Sequence, residues 1–170
     1  YDGKNLPFGK YFFDFIFSQQ VIEHIEPKIK LSYIKEENRV IKKNGLIYHQ
    51  IPHRLVPYES HTRVWFLHWL PKKIFILFFF KKRKKEFINK SLFLDWPWEI
   101  KNLFLKCDLK YHNITHHRLI KKPDGKKLYG ASSFIRKLFY KLTNIPIIGR
   151  FLIKIFKSFF MLEVYSKKIK

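Results

Sequence analysis

The chain has 170 residues, enough for one compact domain or for part of a larger one, and too few for two domains of ordinary size. A hydrophobic content of 46% and an aromatic content of 19% exclude a disordered chain, because so much apolar surface can form a core. The single cysteine, Cys107, excludes an internal disulfide and a zinc site built from several thiolates. It is most simply a small buried residue, and its isolation fits a reducing, cytoplasmic location.

The net charge of +22 is concentrated in the second part of the chain. Residues 1–60 contain 9 Lys and Arg against 7 Asp and Glu, whereas the remaining residues contain 26 against 6. Such an excess is typical of proteins that bind phosphate in nucleic acid or anionic lipid, but lysines also solvate the outer faces of helices. The second interpretation is favoured, because only residues 81–85 form a dense basic run and no nucleic-acid-binding motif accompanies it.

The first elements along the chain predict a strand, a helix and a second strand. Residues 12–17 are almost continuously apolar and aromatic, which is typical of a strand buried on both faces. Residues 27–43 carry apolar side chains at helical spacing, and Asn44-Gly45 is a suitable helix stop. Residues 46–51 then form the second strand. This order predicts a parallel sheet with a right-handed crossover.

The rest of the chain begins with residues 53–71, a polar and aromatic loop long enough to suggest a function. Two helices, a strand, a cationic helical segment and a closing strand are predicted after it: residues 74–89, 98–107, 109–120, 132–160 and 161–165. The longest uninterrupted apolar run, residues 74–80, is much shorter than the roughly 20 residues that a bilayer-spanning helix needs, so no transmembrane helix is predicted.

Four segments stand in a fixed order and spacing: residues 2–8, 13–18, 21–25 and 37–46. This order resembles the middle of class I S-adenosylmethionine-dependent methyltransferases. Those enzymes carry an acidic residue before Leu-Pro-Phe, then Phe-Asp at a hydrophobic strand, then Val-Leu-Glu-His, then Arg-Val-Leu-Lys-Pro-Gly-Gly. The resemblance covers residues 1–52, and its one departure is Lys-Asn-Gly in place of Pro-Gly-Gly, which changes a turn.

A further resemblance concerns the loop that follows. Residues 57–71 are similar to a subset of these enzymes in which Glu-Pro-His-Thr precedes His-Trp-Leu-Pro. Ser60 stands here where that subset has proline.

The resemblance implies an α/β fold with a Rossmann-like methyltransferase sheet. The family's Gly-x-Gly-x-Gly loop and the acidic residue of its second strand have no counterpart, so we expect a single partial domain with strands four to seven, the last antiparallel, and added helices. Residues 1–52 would be the cofactor-side core, residues 53–90 the substrate loop and helix, and residues 91–170 the C-terminal helices and strands. Residues 12–17 would then form an exposed apolar edge, and the isolated chain would bind the cofactor weakly or not at all and be inactive alone.

The cofactor that the resemblance implies is S-adenosylmethionine. The residue matching Asp2 hydrogen-bonds the adenine amino group in the family, so Asp2 and Gly3 are predicted to bind cofactor, although Asp2 is also compatible with an ordinary turn. Ser18, Gln19 and Gln20 follow the first strand, where ligands bind in open parallel sheets, and are predicted to line the methionine end. Ser18 is alternatively a helix N-cap.

Catalytic and substrate-binding roles fall to polar residues after each strand. Methyl transfer requires an acceptor lone pair in line with the sulfonium carbon, so the protein must position the acceptor and take its proton. The candidates for the proton acceptor are His24, His61 and His68, and those for substrate binding are Glu59, Arg63 and Trp69. The alternatives are a structural histidine at a helix start and a loop packed by its own aromatic residues.

No metal site is predicted from the sequence. His112, His116 and His117 are close together along the chain, but they lack a fourth ligand and lie in a predicted strand.

We therefore expect transfer of a methyl group from S-adenosylmethionine to an oxygen, nitrogen or carbon nucleophile of a small molecule, lipid or glycan precursor. One alternative is an RNA methyltransferase that uses the basic second part. The other is a membrane-surface binding module built on residues 132–160, where aromatic and basic residues alternate, which would add peripheral membrane contact to the cytoplasmic location. The acceptor atom and the oligomeric state stay open.

Overall fold

The fold is described from a computed structural model over residues 5–116, 141, 145–146 and 148–169. The strands of this part, numbered in chain order, are β1 (Phe13–Gln19), β2 (Ile41–Ile51), β3 (Tyr58–Glu59), β4 (Val64–Trp65), β5 (Leu109–Asn113) and β6 (Leu162–Lys168). The helices are α1 (Pro27–Val40), α2 (Lys72–Leu77), α3 (Lys82–Ser91), α4 (Pro97–Leu105) and α5 (Ile148–Phe156). Among these residues, no helix combines the length and the apolar character that crossing a membrane requires.

Four strands form one open sheet in the order β1-β2-β6-β5. β1 and β2 pair in parallel, with Ser18 opposite His49 and Gln19 opposite Gln50, so both strands end at the same edge of the sheet. β6 lies between β2 and β5 and runs antiparallel to both. The predicted α/β fold class with an antiparallel last strand is confirmed.

The junction of α1 and β2 differs from the prediction that the helix continues to residue 43. α1 ends at Val40, and β2 begins at once with Ile41 and runs through Gly45. A Cβ at Gly45 would lie 2.7 Å from the Ile41 side chain and 2.9 Å from the backbone oxygen of Asp14. Gly45 is therefore required by the close approach of β1 and β2, where their register shifts, and not as a helix stop.

β1 is the end strand of the described sheet, and its side chains are far more exposed than the prediction of a strand buried on both faces allows. Phe15 and Phe17, which project from the same face of the sheet, are 52% and 58% exposed, so the described elements leave that face largely uncovered here. The prediction of full burial is wrong, whereas the expected exposed apolar edge is present. Phe8, Phe12 and Phe13 pack against one another beside it, with ring centroids 4.8–5.2 Å apart.

The main core lies between the sheet and helices α1 and α4. Its fully buried members come from all of these elements: Ile22, Ile34, Ile41, Ile47, Ile51, Ile100, Phe104, Cys107, Leu109, Leu162 and Val164. Cys107 is 2% exposed, which confirms the prediction of a buried residue, and its carbonyl accepts a hydrogen bond from Asn38 Nδ2 at 2.7 Å.

The predicted helix over residues 74–89 is in fact two helices, α2 and α3, separated by residues 78–81. Phe75 and Phe79 turn inward with Ile88 and Leu92 to form a second small core, whereas Phe80 is 99% exposed at the break. Residues 74–80 are apolar all round and residues 81–85 are all basic, so one continuous helix over both runs would have no consistent apolar face.

Other boundaries also shift. The predicted loop over residues 53–71 contains the β3–β4 hairpin and a 3₁₀ turn at Leu67–Trp69. The helix predicted over 98–107 is α4, which begins one residue earlier because Pro97 suits a first helical position, and the closing strand extends to Lys168. β5 ends at Asn113 and not at residue 120. Residues 117–120 of the predicted strand and residues 132–140, 142–144 and 147 of the predicted helix lie outside the described residues.

His53 connects the end of β2 to the chain just before β6. It is 1% exposed, its Nε2–H donates to the Phe160 carbonyl oxygen at 2.8 Å, and its Nδ1 accepts from the Leu55 N–H at 3.2 Å. Both ring nitrogens are thus satisfied only in the neutral imidazole. Burial lowers the pKa of His53 to about 4, against the opposing effect of the Phe160 hydrogen bond.

This depressed pKa predicts a loss of stability in mild acid. The unfolded chain takes up the proton near pH 6.5 and the folded chain only near pH 4, so the His53 contribution is present above about pH 6.5 and falls by about 3 kcal/mol toward pH 4. His53→Gln retains a donor for Phe160 but does not titrate. In urea unfolding from neutral to mildly acidic pH, the wild type should lose this extra free energy of unfolding relative to His53→Gln. The exposed His112→Gln serves as control, and parallel pH curves for wild type and His53→Gln would contradict the assignment.

Candidate functional site

The carboxyl end of β1 places the predicted cofactor residues at the edge of the sheet. Ser18 is 6% exposed, and its hydroxyl makes no hydrogen bond to any described residue. Gln19 is exposed, and Gln20 has a left-handed backbone with φ 54°, its N–H donating to the Gln50 carbonyl oxygen at 2.9 Å. Ser18 does not cap a helix, because the following turn begins after Val21 without a side-chain cap. Asp2 and Gly3 lie outside the described residues.

A 3₁₀ turn, Ile22–His24, follows β1 directly. Ile22 is buried in the core, and the Phe93 N–H donates to the Glu23 carbonyl oxygen at 2.7 Å. These two contacts hold the turn in place. The Glu23 residue is 1% exposed, and neither carboxylate oxygen accepts a hydrogen bond from the described part of the chain. Burial raises the pKa of Glu23 to about 7.

The β3–β4 hairpin is organised by the carboxylate of Glu59, which is 5% exposed. Glu59 accepts hydrogen bonds from His61 N at 2.9 Å, from His61 Nδ1 at 2.7 Å, from Thr62 N at 2.6 Å and from the Thr62 hydroxyl. Burial raises the pKa of Glu59, but these hydrogen bonds outweigh burial and lower the pKa to about 2. Both oxygens are occupied within the hairpin, which favours a positioning role for Glu59 over direct substrate contact.

His24 and His61 meet at this edge. Their rings are perpendicular with centroids 4.8 Å apart, and Phe87 of α3 packs against both, at 6.1 and 5.8 Å. His24 Nδ1–H donates to the Ser91 carbonyl oxygen at 2.6 Å, and the hydrogen bond to Glu59 raises the pKa of His61. Two of the predicted catalytic residues are therefore brought together, and one ligand atom each of Glu23, His24 and His61 lie within 4.8 Å of one another.

The other predicted residues of the loop have local roles in its packing. His68 is buried, its Nε2–H donates to the Val56 carbonyl oxygen at 2.8 Å, and burial lowers its pKa. Arg63 is exposed and Trp69 is half-buried. The sequence reasoning missed Arg54, whose Nη2 donates to the carbonyl oxygens of residues 68, 69 and 70 at 3.3, 3.2 and 2.7 Å.

A cleft of about 200 Å³ beside this loop is lined by both polar and apolar side chains, including Arg54, Lys72 and Asp95. Behind it, Lys30 of α1 is 4% exposed and donates to the Phe93 carbonyl oxygen at 2.6 Å and to the Asp95 carboxylate. Local sequence patterns carry no signal for this pair, because its members are distant along the chain.

Comparison with solved structures shows the fold first. The chain is similar to a solved S-adenosylmethionine-dependent methyltransferase from Mesorhizobium loti, with 12% identity, 99% of this chain and 67% of that chain covered, and a TM-score of 0.51. It is also similar to phosphoethanolamine N-methyltransferase 2 of Haemonchus contortus in complex with S-adenosyl-L-methionine (14% identity, 99% and 36% covered, TM-score 0.45). The YcgJ protein of Bacillus subtilis is a third neighbour (14% identity, 99% and 69% covered, TM-score 0.43). The chain thus spans between about a third and two thirds of the length of these structures.

A family model matches the first part of the sequence. Residues 1–49 match the family model described as a methyltransferase domain, whereas no curated protein matches the chain. The match over residues 1–49 and the fold shared with the Mesorhizobium loti structure bear out the resemblance of that segment to class I S-adenosylmethionine-dependent methyltransferases, with S-adenosylmethionine as the cofactor. The residues at the end of β1 fit part of that cofactor, since the buried Ser18 hydroxyl is free among the described residues to hydrogen-bond the amino or carboxylate group of its methionine end.

The role of Glu59 in the hairpin predicts a loss of stability on its substitution. Glu59→Gln removes the charge and one acceptor from a carboxylate that holds four donors, so the free energy of unfolding should fall by about 1.5–3 kcal/mol, the usual value for a hydrogen bond to a charged group. Urea unfolding at neutral pH measures the change. Glu86→Gln, at an exposed position of α3, is the matched control and should change stability by less than about 0.5 kcal/mol. Equal stability of the two variants would show that Glu59 does not organise the hairpin.

Proposed function

We propose that the native protein transfers a methyl group from S-adenosylmethionine to a small-molecule, lipid or glycan-precursor acceptor. The observation that carries the proposal is the shared edge where β1 and β2 end in parallel. The Ser18 hydroxyl, which has no hydrogen-bond partner among the described residues, lies near the end of β1. His24 follows β1, and His61, on the hairpin that follows β2, packs against the His24 ring. In open α/β sheets this edge is where ligands bind.

Bound S-adenosylmethionine supplies a methyl group on a positively charged sulfur. The residues of this chain would bind the cofactor, orient the acceptor and remove the acceptor's proton. Ser18 and Gln20 would hold the methionine end, and the 3₁₀ turn and hairpin would place the acceptor. His24 and His61 each use Nδ1 in a hydrogen bond, so Nε2 is the ring atom left to act on an acceptor. Alignment of the acceptor with the methyl group contributes more to the rate at such a site than removal of the acceptor's proton does.

The surroundings of the histidine pair support an acceptor with apolar surface. Trp65 and Phe66 are 62% and 50% exposed on and after the hairpin that carries His61, and Tyr58 packs against Trp65 with ring centroids 5.1 Å apart and the ring planes tilted by 49°. Aromatic faces of this kind suit a lipid, a sugar ring or an aromatic small molecule.

RNA is the second candidate acceptor, because one feature of the site favours an anion. The basic helix α3 lies against the hairpin, and Lys84 Nζ donates to the Thr62 carbonyl oxygen at 3.2 Å, next to His61. The membrane-surface alternative rests on residues 132–160, of which residues 132–140, 142–144 and 147 lie outside the described part, and Phe151 and Ile155 of α5 are exposed.

The test uses the native full-length protein with S-adenosylmethionine that carries a radiolabelled methyl group. Fractions of small polar molecules, lipids, glycan precursors and total RNA are offered in parallel. Label in one of the first three fractions is the expected result. Label in RNA alone would replace the proposed acceptor with RNA, and failure to label any fraction would overturn the proposal.

Ser18 offers a prediction about cofactor affinity. Ser18→Ala in the native full-length protein removes one hydrogen bond to the methionine end, so the Kd for S-adenosylmethionine should rise about tenfold, equivalent to about 1.4 kcal/mol. Equilibrium dialysis measures the Kd. Asp14→Asn, an exposed position on the same strand, is the control and should leave the Kd unchanged. An unchanged Kd for Ser18→Ala would remove Ser18 from the cofactor site.

A further inference from the structure

Three side chains after β1 and on the β3–β4 hairpin meet in a way that the methyltransferase fold does not require. Glu23, His24 and His61 contribute one carboxylate oxygen and two imidazole nitrogens, and these ligand atoms lie within 4.8 Å of one another. We propose that Glu23, His24 and His61 form a binding site for one divalent transition-metal ion, with Glu59 as the residue that orients His61.

The hydrogen bonds of both histidines use Nδ1 and leave the Nε2 lone pair of each ring available to bind a metal. A carbonyl or carboxylate oxygen only accepts, so Nδ1 of His24 donates to Ser91 and Nδ1 of His61 donates to Glu59. In a neutral imidazole the lone pair is then on Nε2. Metal-binding histidines almost always donate their second nitrogen to a carboxylate or a backbone carbonyl in this manner, which fixes the ring and makes the ligating nitrogen more basic.

Glu23 supplies an independent argument for a cation. Its side chain is fully buried, neither oxygen accepts a hydrogen bond from the described residues, and His24 Nε2 lies 3.8 Å from Oε1. A buried carboxylate without hydrogen bonds is costly, and buried charges are normally paired or bound to a metal.

The geometry requires the ligand atoms to move closer together. Ligand atoms bound at about 2.0–2.2 Å to one tetrahedral ion are about 3.3–3.6 Å apart, so the largest separation in the cluster must shorten by about 1.2–1.5 Å through side-chain rotation. His24 and His61 are partly exposed, which leaves an entry path from solvent. Three protein ligands leave at least one coordination position vacant, the arrangement of metal sites that act on a ligand rather than only on stability.

The donor set selects the class of metal. Two imidazoles and one carboxylate suit Zn²⁺, Co²⁺, Mn²⁺ or Fe²⁺, whereas Mg²⁺ and Ca²⁺ prefer oxygen ligands throughout. A ligand role also uses the Nε2 lone pairs that proton acceptance would need, so a bound ion and an imidazole base exclude each other at these two histidines.

The experiment measures binding of Co²⁺ by the full chain, purified without a histidine tag and treated with chelator, by visible absorption and by calorimetry. It needs neither S-adenosylmethionine nor an acceptor, so its outcome is separate from that of the proposed methyl transfer. We expect one Co²⁺ per chain, displaced by Zn²⁺, and no comparable binding of Mg²⁺ or Ca²⁺ at the same concentration.

The variants assign the ligands. Loss of one ligand should weaken binding at least about 100-fold in Glu23→Gln and in His61→Asn, and Glu59→Gln should weaken it about 10- to 100-fold, the usual effect of a residue that supports a metal ligand. Glu23→Gln has the same shape without a buried charge, so its thermal midpoint without metal should be no lower than that of the wild type. Co²⁺ should raise the midpoint of the wild type and leave that of Glu23→Gln unchanged. The matched control is His112→Asn, which removes an exposed histidine elsewhere and should bind as the wild type does. Equal affinity in Glu23→Gln and the wild type, no Co²⁺ binding, or equal binding of Mg²⁺ would each overturn the proposal.

Discussion

The parallel pairing of β1 and β2 is the constraint from which the rest of the site follows. Ser18 and Gln19 lie opposite His49 and Gln50, so the chain leaves both strands at one edge of the sheet. The 3₁₀ turn that holds Glu23 and the hairpin that holds His61 can therefore reach each other, although long segments separate them along the chain. An antiparallel pair would send its two exits to opposite edges and separate these residues by the length of the strands.

A second condition is that both exits are held rigidly. The turn after β1 is fixed by the buried Ile22 and by the hydrogen bond from Phe93 to the Glu23 carbonyl oxygen. The hairpin has strands of only two residues, too short to be stable through its own ladder. Its stability comes instead from the ionised Glu59, which collects four donors within three residues and in doing so sets the orientation of His61.

Much of the fold could be predicted from the sequence where local pattern and tertiary structure agree. The apolar run of β1, the amphipathic α1 and the strand after it are all present, and the methyltransferase motif correctly indicated the sheet. The prediction failed where a distant residue decides the structure. Gly45 reads as a helix stop but is needed because β1 approaches β2 closely, and the break between α2 and α3 follows from a second core that has no local signal.

The candidate site shows the same division. The sequence motif pointed to His24 and His61 separately, but nothing in it indicates that their rings would lie 4.8 Å apart over a buried Glu23. Nor does spacing reveal that Lys30 would reach Asp95 behind the cleft.

The buried Glu23 carboxylate links these observations to chemistry. A buried carboxylate that accepts no hydrogen bond from the described residues is relieved either by a proton or by a cation. If Glu23 is protonated, both imidazole Nε2 atoms remain available as bases. If Glu23 binds the proposed cation, both Nε2 atoms would be metal ligands, and the cation would lower the pKa of an acceptor in their place. The two states therefore assign opposite roles to the same histidines, and the charge at Glu23 decides between them. Since Glu59 stays ionised in either state, His61 has the same orientation in both. The residue that selects the chemistry is therefore the buried Glu23 in the 3₁₀ turn, and not the histidine that would carry the chemistry out.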